Sequence, residues 1–335
     1  MTLLAVMAGT MSLKGQDIHF SQAFETPLLR NPSLAGLFNG DVRVQSVYRN
    51  QWNSVTVPYQ TVSLNAEYKL PVGRGDDFLT LGAQVLYDKA GTVAMTTTHF
   101  LPAINYHKSL SAERNMYLSM GFIGGLVQRR IDMSKMTTNN QYDGSGFNDG
   151  ISSGESMKPG YSYMDGSAGM SFNSQIGTNP EDNMFLGVAY HHINRPAGNS
   201  FFSDESIEMK PKWVASAGVK IALTDYTFVT IEADHTIQDA YSQTLGGIMY
   251  GLKLDSPDEP QYLIYGGAYL RWKDAIIPVA KIEFRPVAVA VSYDVNISGL
   301  SAGSRGRGGL ELSLIYQRYL DRYNTSRDAV RCPRF

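Results

Sequence analysis

The chain has 335 residues, 29 basic and 31 acidic side chains, a net charge of −2 and only 18% charged residues. That balance removes the electrostatic ground for a nucleic-acid partner, and the charged fraction is low beside about 25% in soluble domains. Tyrosine (20) outnumbers phenylalanine (14) and glycine is abundant (32), yet no apolar run reaches the roughly 18 residues of a transmembrane helix.

The chain opens "MTLLAVMAGTMSLKGQDIHFSQ". Leu3 to Leu13 reads as a short apolar h-region before Lys14-Gly15, so residues 1–15 are expected to be a signal peptide cut near Gly15/Gln16. It lacks a basic n-region, which bears on the start site. No cysteine follows to carry a lipid anchor, and the single cysteine, Cys332, cannot form an internal disulfide. Residues 16–41 show no strand alternation and precede the first strand. Two roles are open for them: a plug in a pore, together with the loop 129–160, or a periplasmic arm that binds another protein.

From Val42 the dominant period is two. In "VRVQSVYRNQW", Val42, Val44 and Tyr48 share one face; Arg43, Gln45 and Arg49 share the other. In "TVSLNAEYKL", Val62, Leu64, Ala66, Tyr68 and Leu70 oppose Thr61, Ser63, Asn65, Glu67 and Lys69. Such alternation over 9 to 11 residues marks strands with one apolar and one polar side. About fourteen runs follow: 42–50, 60–70, 78–88, 96–108, 115–128, 161–175, 183–193, 213–223, 226–236, 241–254, 261–272, 275–285, 287–297 and 307–320. No convincing helical period interrupts them.

The connections segregate. If the strands run up and down in order, one side holds the short gaps "PVGRGDD", "SLSAERN", "TNPED", "LTD", "DSPDEP" and "RP". The other holds the long ones, 129–160, 194–212 and "ISGLSAGSRGR", together with two short links, "QDA" and "KD". An even strand number with tight turns at one end and long loops at the other predicts an all-β, transmembrane, antiparallel up-and-down barrel over residues 42–320. Its short-turn end is periplasmic, with a periplasmic C-terminal tail at 321–335 and an N-terminal non-barrel segment on that same side. The outward face then meets outer-membrane lipid. The inward face carries Glu67, Lys69, Lys220, Glu232, Asp234, Lys281, Glu283, Asp294 and Glu311, because a cation on the lipid face at mid-depth costs about 2–4 kcal/mol. A soluble two-sheet sandwich is the competing architecture.

Chemical motifs are sparse. His191 and His192 are adjacent in a strand and are expected on opposite faces, unable to share a metal. "GRGD" at 73–76 fits a glycine turn. "GSRGRGG" at 303–309 lacks the following helix an anion site needs. No phosphate loop, zinc-protease or nucleophile-elbow pattern occurs. No cofactor or metal is expected, and no catalysis, although a lumenal or rim triad is the alternative in which the chain is an outer-membrane hydrolase.

The opening "QDIHFSQAFETPLLRNPSLAGLFNGDVRVQSVYRNQW" resembles the start of the PorP/SprF family of outer-membrane proteins, associated with type IX secretion and gliding in Bacteroidetes. The likeness rests on Gln16, Asp17, Phe20, Ser21 and Gln22; on Asn31, Pro32, Ala35 and Gly36; on Tyr48, Arg49, Asn50, Gln51 and Trp52; and on the "CPRF" terminus with Cys332 and Pro333. These residues are the family-motif and partner-contact candidates. The resemblance implies a non-catalytic barrel that assists export and surface anchoring of an adhesin-like cargo through its C-terminal sorting domain, with periplasmic type IX components as further partners. A general porin or nutrient channel is the alternative, since a polar lumen suits it equally.

Overall fold

A computed structural model describes residues 17–51, 57–73, 75–197, 200–202, 208–258, 260–299, 304 and 306–320. The expected signal peptide, the C-terminal tail, Trp52, Cys332 and Pro333 lie outside these. The strands are β1 (Val42–Gln51), β2 (Tyr59–Pro71), β3 (Phe78–Ala90), β4 (Met95–Ser111), β5 (Met116–Arg130), β6 (Gly160–Gln175) and β7 (Asn183–His191), followed by β8 (Lys212–Ala222), β9 (Thr227–Gln238), β10 (Tyr241–Leu254), β11 (Tyr262–Arg271), β12 (Ala275–Phe284), β13 (Val287–Asn296) and β14 (Arg307–Arg318). Each pairs antiparallel with its sequence neighbours, and β1 closes on β14 with Val42 opposite Arg318 and Arg49 opposite Glu311. The result is a closed fourteen-stranded barrel, which leaves no strand edge unpaired.

The side-chain parity is the expected one. Val62, Leu64, Leu310, Leu312 and Leu314 project outward and exposed, while Glu67, Lys69, Asp294 and Glu311 are buried inside. Antiparallel strands can sustain this because each residue reverses the face of the last. Turns 72–77, 112–115, 176–182, 223–226, 255–261 and 285–286 stand at the rim where the chain enters β1 and leaves β14, here the near rim. The long loop 131–159 and the described parts of the next, 192–197, 200–202 and 208–211, stand at the far rim. Loop 131–159 folds on itself and its neighbours: Tyr142 bridges Phe147, Met157 bridges Phe202, and Lys158 N donates to Phe201 O at 2.7 Å.

Residues 17–41 lie within the barrel. Asp17 bonds His192 and Lys212 at the far rim, and Asp41 receives the N–H of Leu320 at the near rim. Between these points run a 3₁₀ turn at Ala23–Glu25, the short helix α1 (Pro27–Arg30) and a second 3₁₀ turn at Pro32–Leu34. The first and last described residues therefore sit at opposite ends of the barrel. This departs from the expectation of an N-terminal segment and C-terminus on one side, because the segment crosses the lumen before β1 begins.

A second departure concerns His191 and His192. Both are buried, at 5% and 6% exposure, with ring centroids 6.4 Å apart. Strand alternation ends at His191, and His192 takes a left-handed backbone with φ 60°, which turns its imidazole inward beside its neighbour's.

Candidate functional site: the lumenal seat of the inner segment

A turn inside a barrel must find acceptors for its free backbone N–H groups away from water. The N–H groups of Ser21 and Gln22, just ahead of the first 3₁₀ turn, meet the Glu311 carboxylate of β14 at 2.6 and 2.8 Å, one on each oxygen. Ser21 Oγ donates to Asp294 of β13 at 2.6 Å, and Gln22 Nε2 donates to Ser292 at 3.0 Å. Arg49 of β1 donates to Ser21 Oγ at 2.7 Å, to Asp294 at 3.0 Å and to Glu311. Arg271, at the end of β11, donates to Asp294 at 3.1 Å and to Ser21 Oγ. Two guanidinium groups thus face two carboxylates, all at 2% side-chain exposure or less. Buried charges of this kind are tolerable only when paired and hydrogen-bonded. Below them Phe20 packs on Val47 and Leu86.

Farther along, Glu25 takes Lys281 at 2.6 Å and Gln45 at 3.1 Å. Arg30 pairs with Glu232 at 2.9 Å and Asp234 at 2.7 Å. Here inner charges of the barrel, Lys281, Glu232 and Asp234, are matched by opposite charges on the segment.

Residues 31–36 meet a different wall. Asn31 caps the Pro32–Leu34 turn, its Oδ1 accepting Ser33 N at 2.9 Å and Ser33 Oγ at 2.8 Å. Its amide and the following proline lie against strand glycines. A Cβ on Gly121 would come within 2.5 Å of the Pro32 carbonyl carbon, one on Gly187 within 2.8 Å of Asn31 Nδ2, and one on Gly169 would collide with Asn31 Oδ1. The Asn105 amide donates to Ser33 O at 2.7 Å and Ala35 O at 2.8 Å, closing the carbonyls of the turn. Gly36, at φ 88°, turns its N–H to Glu67 at 2.7 Å, and Glu67 in turn holds Arg43 at 2.7 Å. Lys69 donates to Phe38 O beneath the Phe38 ring.

The family-motif candidates thus divide. Ser21, Gln22, Arg49 and Gln51 come together, with Arg49 Nε reaching Gln51 Oε1 at 3.3 Å. Asn31, Pro32 and Gly36 form the second seat. Tyr48 and Asn50 face outward and bond each other at 3.3 Å. Their partners Asp294, Glu311 and Glu67 carried a signal in sequence only as inward-facing charges, and Asn105 and the bed of glycines carried none.

At the far rim Asp17 bonds His192 Nε2 at 2.8 Å and Lys212 at 2.7 Å, while His192 Nδ1 meets Asp165 at 2.9 Å. Burial works against a charged imidazole at His192, but the two carboxylates prevail and push its pKa up to about 9. Burial likewise opposes the Asp17 carboxylate, and Lys212 and His192 hold it well below the usual range. His191 Nδ1 meets Ser167 at 3.0 Å, and its Nε2 faces Arg30 O. Serine and aspartate therefore sit on different imidazoles, which is not the relay through one histidine that a Ser-His-Asp nucleophile requires. Among the described residues no group of three or more His, Cys, Asp or Glu is arranged to hold a metal.

No curated protein matches the chain. Among solved structures it is similar to a mutant of the TodX monoaromatic hydrocarbon channel (8% identity, TM-score 0.51, 89% of this chain and 94% of that one). It is also similar to a Pseudomonas aeruginosa FadL homologue (10% identity, TM-score 0.50, 88% and 94%). At such identity the likeness concerns the outer-membrane barrel fold alone. The sequence pattern described as "Type IX secretion system membrane protein PorP/SprF" matches residues 12–316. That span takes in both seats of the inner segment and nearly all of the barrel, and so the chain belongs to the PorP/SprF family of type IX secretion system membrane proteins.

Proposed function

We propose that this barrel assists export of a secreted, adhesin-like protein and holds it at the cell surface through that protein's C-terminal sorting domain. The observation that carries the reading is the occupied lumen: residues 17–41 are bonded to the wall from one rim to the other. A lumen of fourteen strands is wide enough to conduct unless filled. A filled one suits an anchor better than a passive channel. In this reading the near rim faces the periplasm, where type IX components are met, and the far-rim loops 131–159 and 192–211 face outward and grip the cargo. Glycine- and asparagine-rich loops of this kind can order on binding.

A mild-detergent pull-down from the native outer membrane tests it. Co-purification of a protein with a long C-terminal sorting domain is expected, together with loss of that protein from the surface when the gene is deleted. Recovery of the barrel alone, with surface proteins unchanged in the deletion strain, would count against the anchoring role. Planar-bilayer conductance supplies the second arm. The intact chain is expected to conduct poorly and a chain lacking 17–38 to conduct well, provided it keeps the heat-modifiable gel mobility of a folded barrel. Equal conductance of the two would remove the plug.

A further inference from the structure

Beneath the far rim, between the inner segment and the β2–β5 wall, lies a cavity of about 300 Å³. That is the low end of the range for small-molecule or side-chain pockets. One side is apolar: Leu28 and Leu29 of the inner segment face Met95, Leu101 and Ile123. The same stretch of wall, β3 to β5, also carries three polar groups whose nitrogens are buried without a hydrogen-bond partner: Gln84 Nε2, His99 Nε2 and Arg129 Nε. Gln84 is 1% exposed and its amide oxygen is unpartnered too. Leaving such atoms unsatisfied is costly, and native structures seldom do so away from a binding role or bound water.

Most charges around the cavity are paired; Asp88 and Arg129 form no close ion pair, though each lies in the other's field. Arg49 is taken by Glu311 and Asp294, Lys212 by Asp17, and Asp165 by His192. Asp88 accepts the Thr61 hydroxyl at 2.7 Å. Arg129 has only the Tyr161 hydroxyl, at 3.5 Å from Nη1, and no carboxylate within ion-pair distance among the described residues. A cation without a close ion pair, the His99 and Gln84 nitrogens following it on the neighbouring strands, and the leucines of the inner segment facing them form a complementary seat for a carboxylate on an apolar body.

We propose that this cavity binds a carboxylate-bearing ligand with an apolar tail, held by Arg129 and Gln84, the tail lying against Leu28, Leu101 and Ile123. The site does not rest on the secretory reading, since nothing in it requires a cargo. The same chemistry is offered by the free carboxyl end of a polypeptide and by a small aliphatic acid.

The test is calorimetric titration of the purified, detergent-solubilised full chain with three probes: N-acetyl-glycyl-leucine, its C-terminal amide, and hexanoate. The dipeptide acid is expected to bind about tenfold or more tighter than its amide, and Arg129→Gln to remove about that advantage. Binding of the dipeptide but not hexanoate identifies a polypeptide end as the source. Binding of hexanoate, with or without the dipeptide, identifies a small acid. Failure of both acids to bind, or equal binding of acid and amide, overturns the proposal, as does unchanged acid affinity in an Arg129→Gln barrel of normal heat-modifiable mobility. Should Arg129→Gln fail to fold, Gln84→Leu decides. Acid affinity is then expected to fall severalfold, and an unchanged value in the folded variant overturns the site.

Discussion

Residues 21–22 and residues 31–36 of the inner segment are both locked to the barrel wall, but by opposite means. The first seat is electrostatic: Glu311 takes two backbone N–H groups while Arg49 and Arg271 neutralise it and Asp294. The second is steric and neutral at its heart, with an asparagine and a proline set against Gly121, Gly169 and Gly187 and their carbonyls closed by Asn105. The difference teaches that one inner segment can be held to a barrel wall by two independent means. At the first seat the barrel's own arginines balance the carboxylates that receive the segment's N–H groups, and at the second bare strand backbone makes room for the turn.

The sharpest way to break the comparison is Glu311→Ala. It strands Arg49 and two N–H groups in a buried site, so a loss of about 3–5 kcal/mol is expected. Denaturant unfolding in detergent reads it, with hydrogen exchange over 17–25 rising far more than over 31–38. Equal loss of protection in both stretches would mean that the seats are one cooperative unit. Gly121→Ala attacks the second seat by overpacking the Pro32 carbonyl, and about 1–3 kcal/mol is expected. Here the exchange pattern should invert, with residues 31–38 exposed first. Asn31→Ala is milder, at about 1 kcal/mol, since it removes a cap and leaves the fit. If it costs as much as Gly121→Ala, hydrogen bonding and not shape holds that seat.

The smallest change in global stability should come from pH, because it acts on the terminal turn alone. The His192 pKa in the folded barrel, about 9, lies above its ordinary 6.5. Protonation therefore favours the bound Asp17 end, an effect complete below about pH 6.5 and lost as pH rises through about 9. Limited proteolysis near residue 17 should accelerate between pH 7 and pH 10, beyond the protease's own pH response, and His192→Gln should abolish that difference. A wild-type chain cleaved equally at both values would show that Lys212 alone holds Asp17.

All fourteen strands, and the faces in those with strict alternation such as β1, β2, β9, β13 and β14, were legible in the sequence, since a period of two with apolar residues on one side needs only local chemistry and an apolar solvent outside. Arg43, Arg49 and Glu67 could be placed inward from parity alone. Alternation failed where the strand stopped, at His192, whose left-handed backbone no pattern of hydrophobicity encodes.

What the sequence determined by itself was thus the wall: how many strands, which side meets lipid, and where the long loops lie. Only the tertiary structure decided that residues 17–41 run through the lumen from the far rim to the near one, and that Ser21 meets Glu311 almost the whole chain away. The physical reason is range. Strand patterning is set by neighbours and solvent. The course of the inner segment is set by charge pairing and by glycine-shaped space on strands distant in sequence, which exist as surfaces only once the barrel has closed.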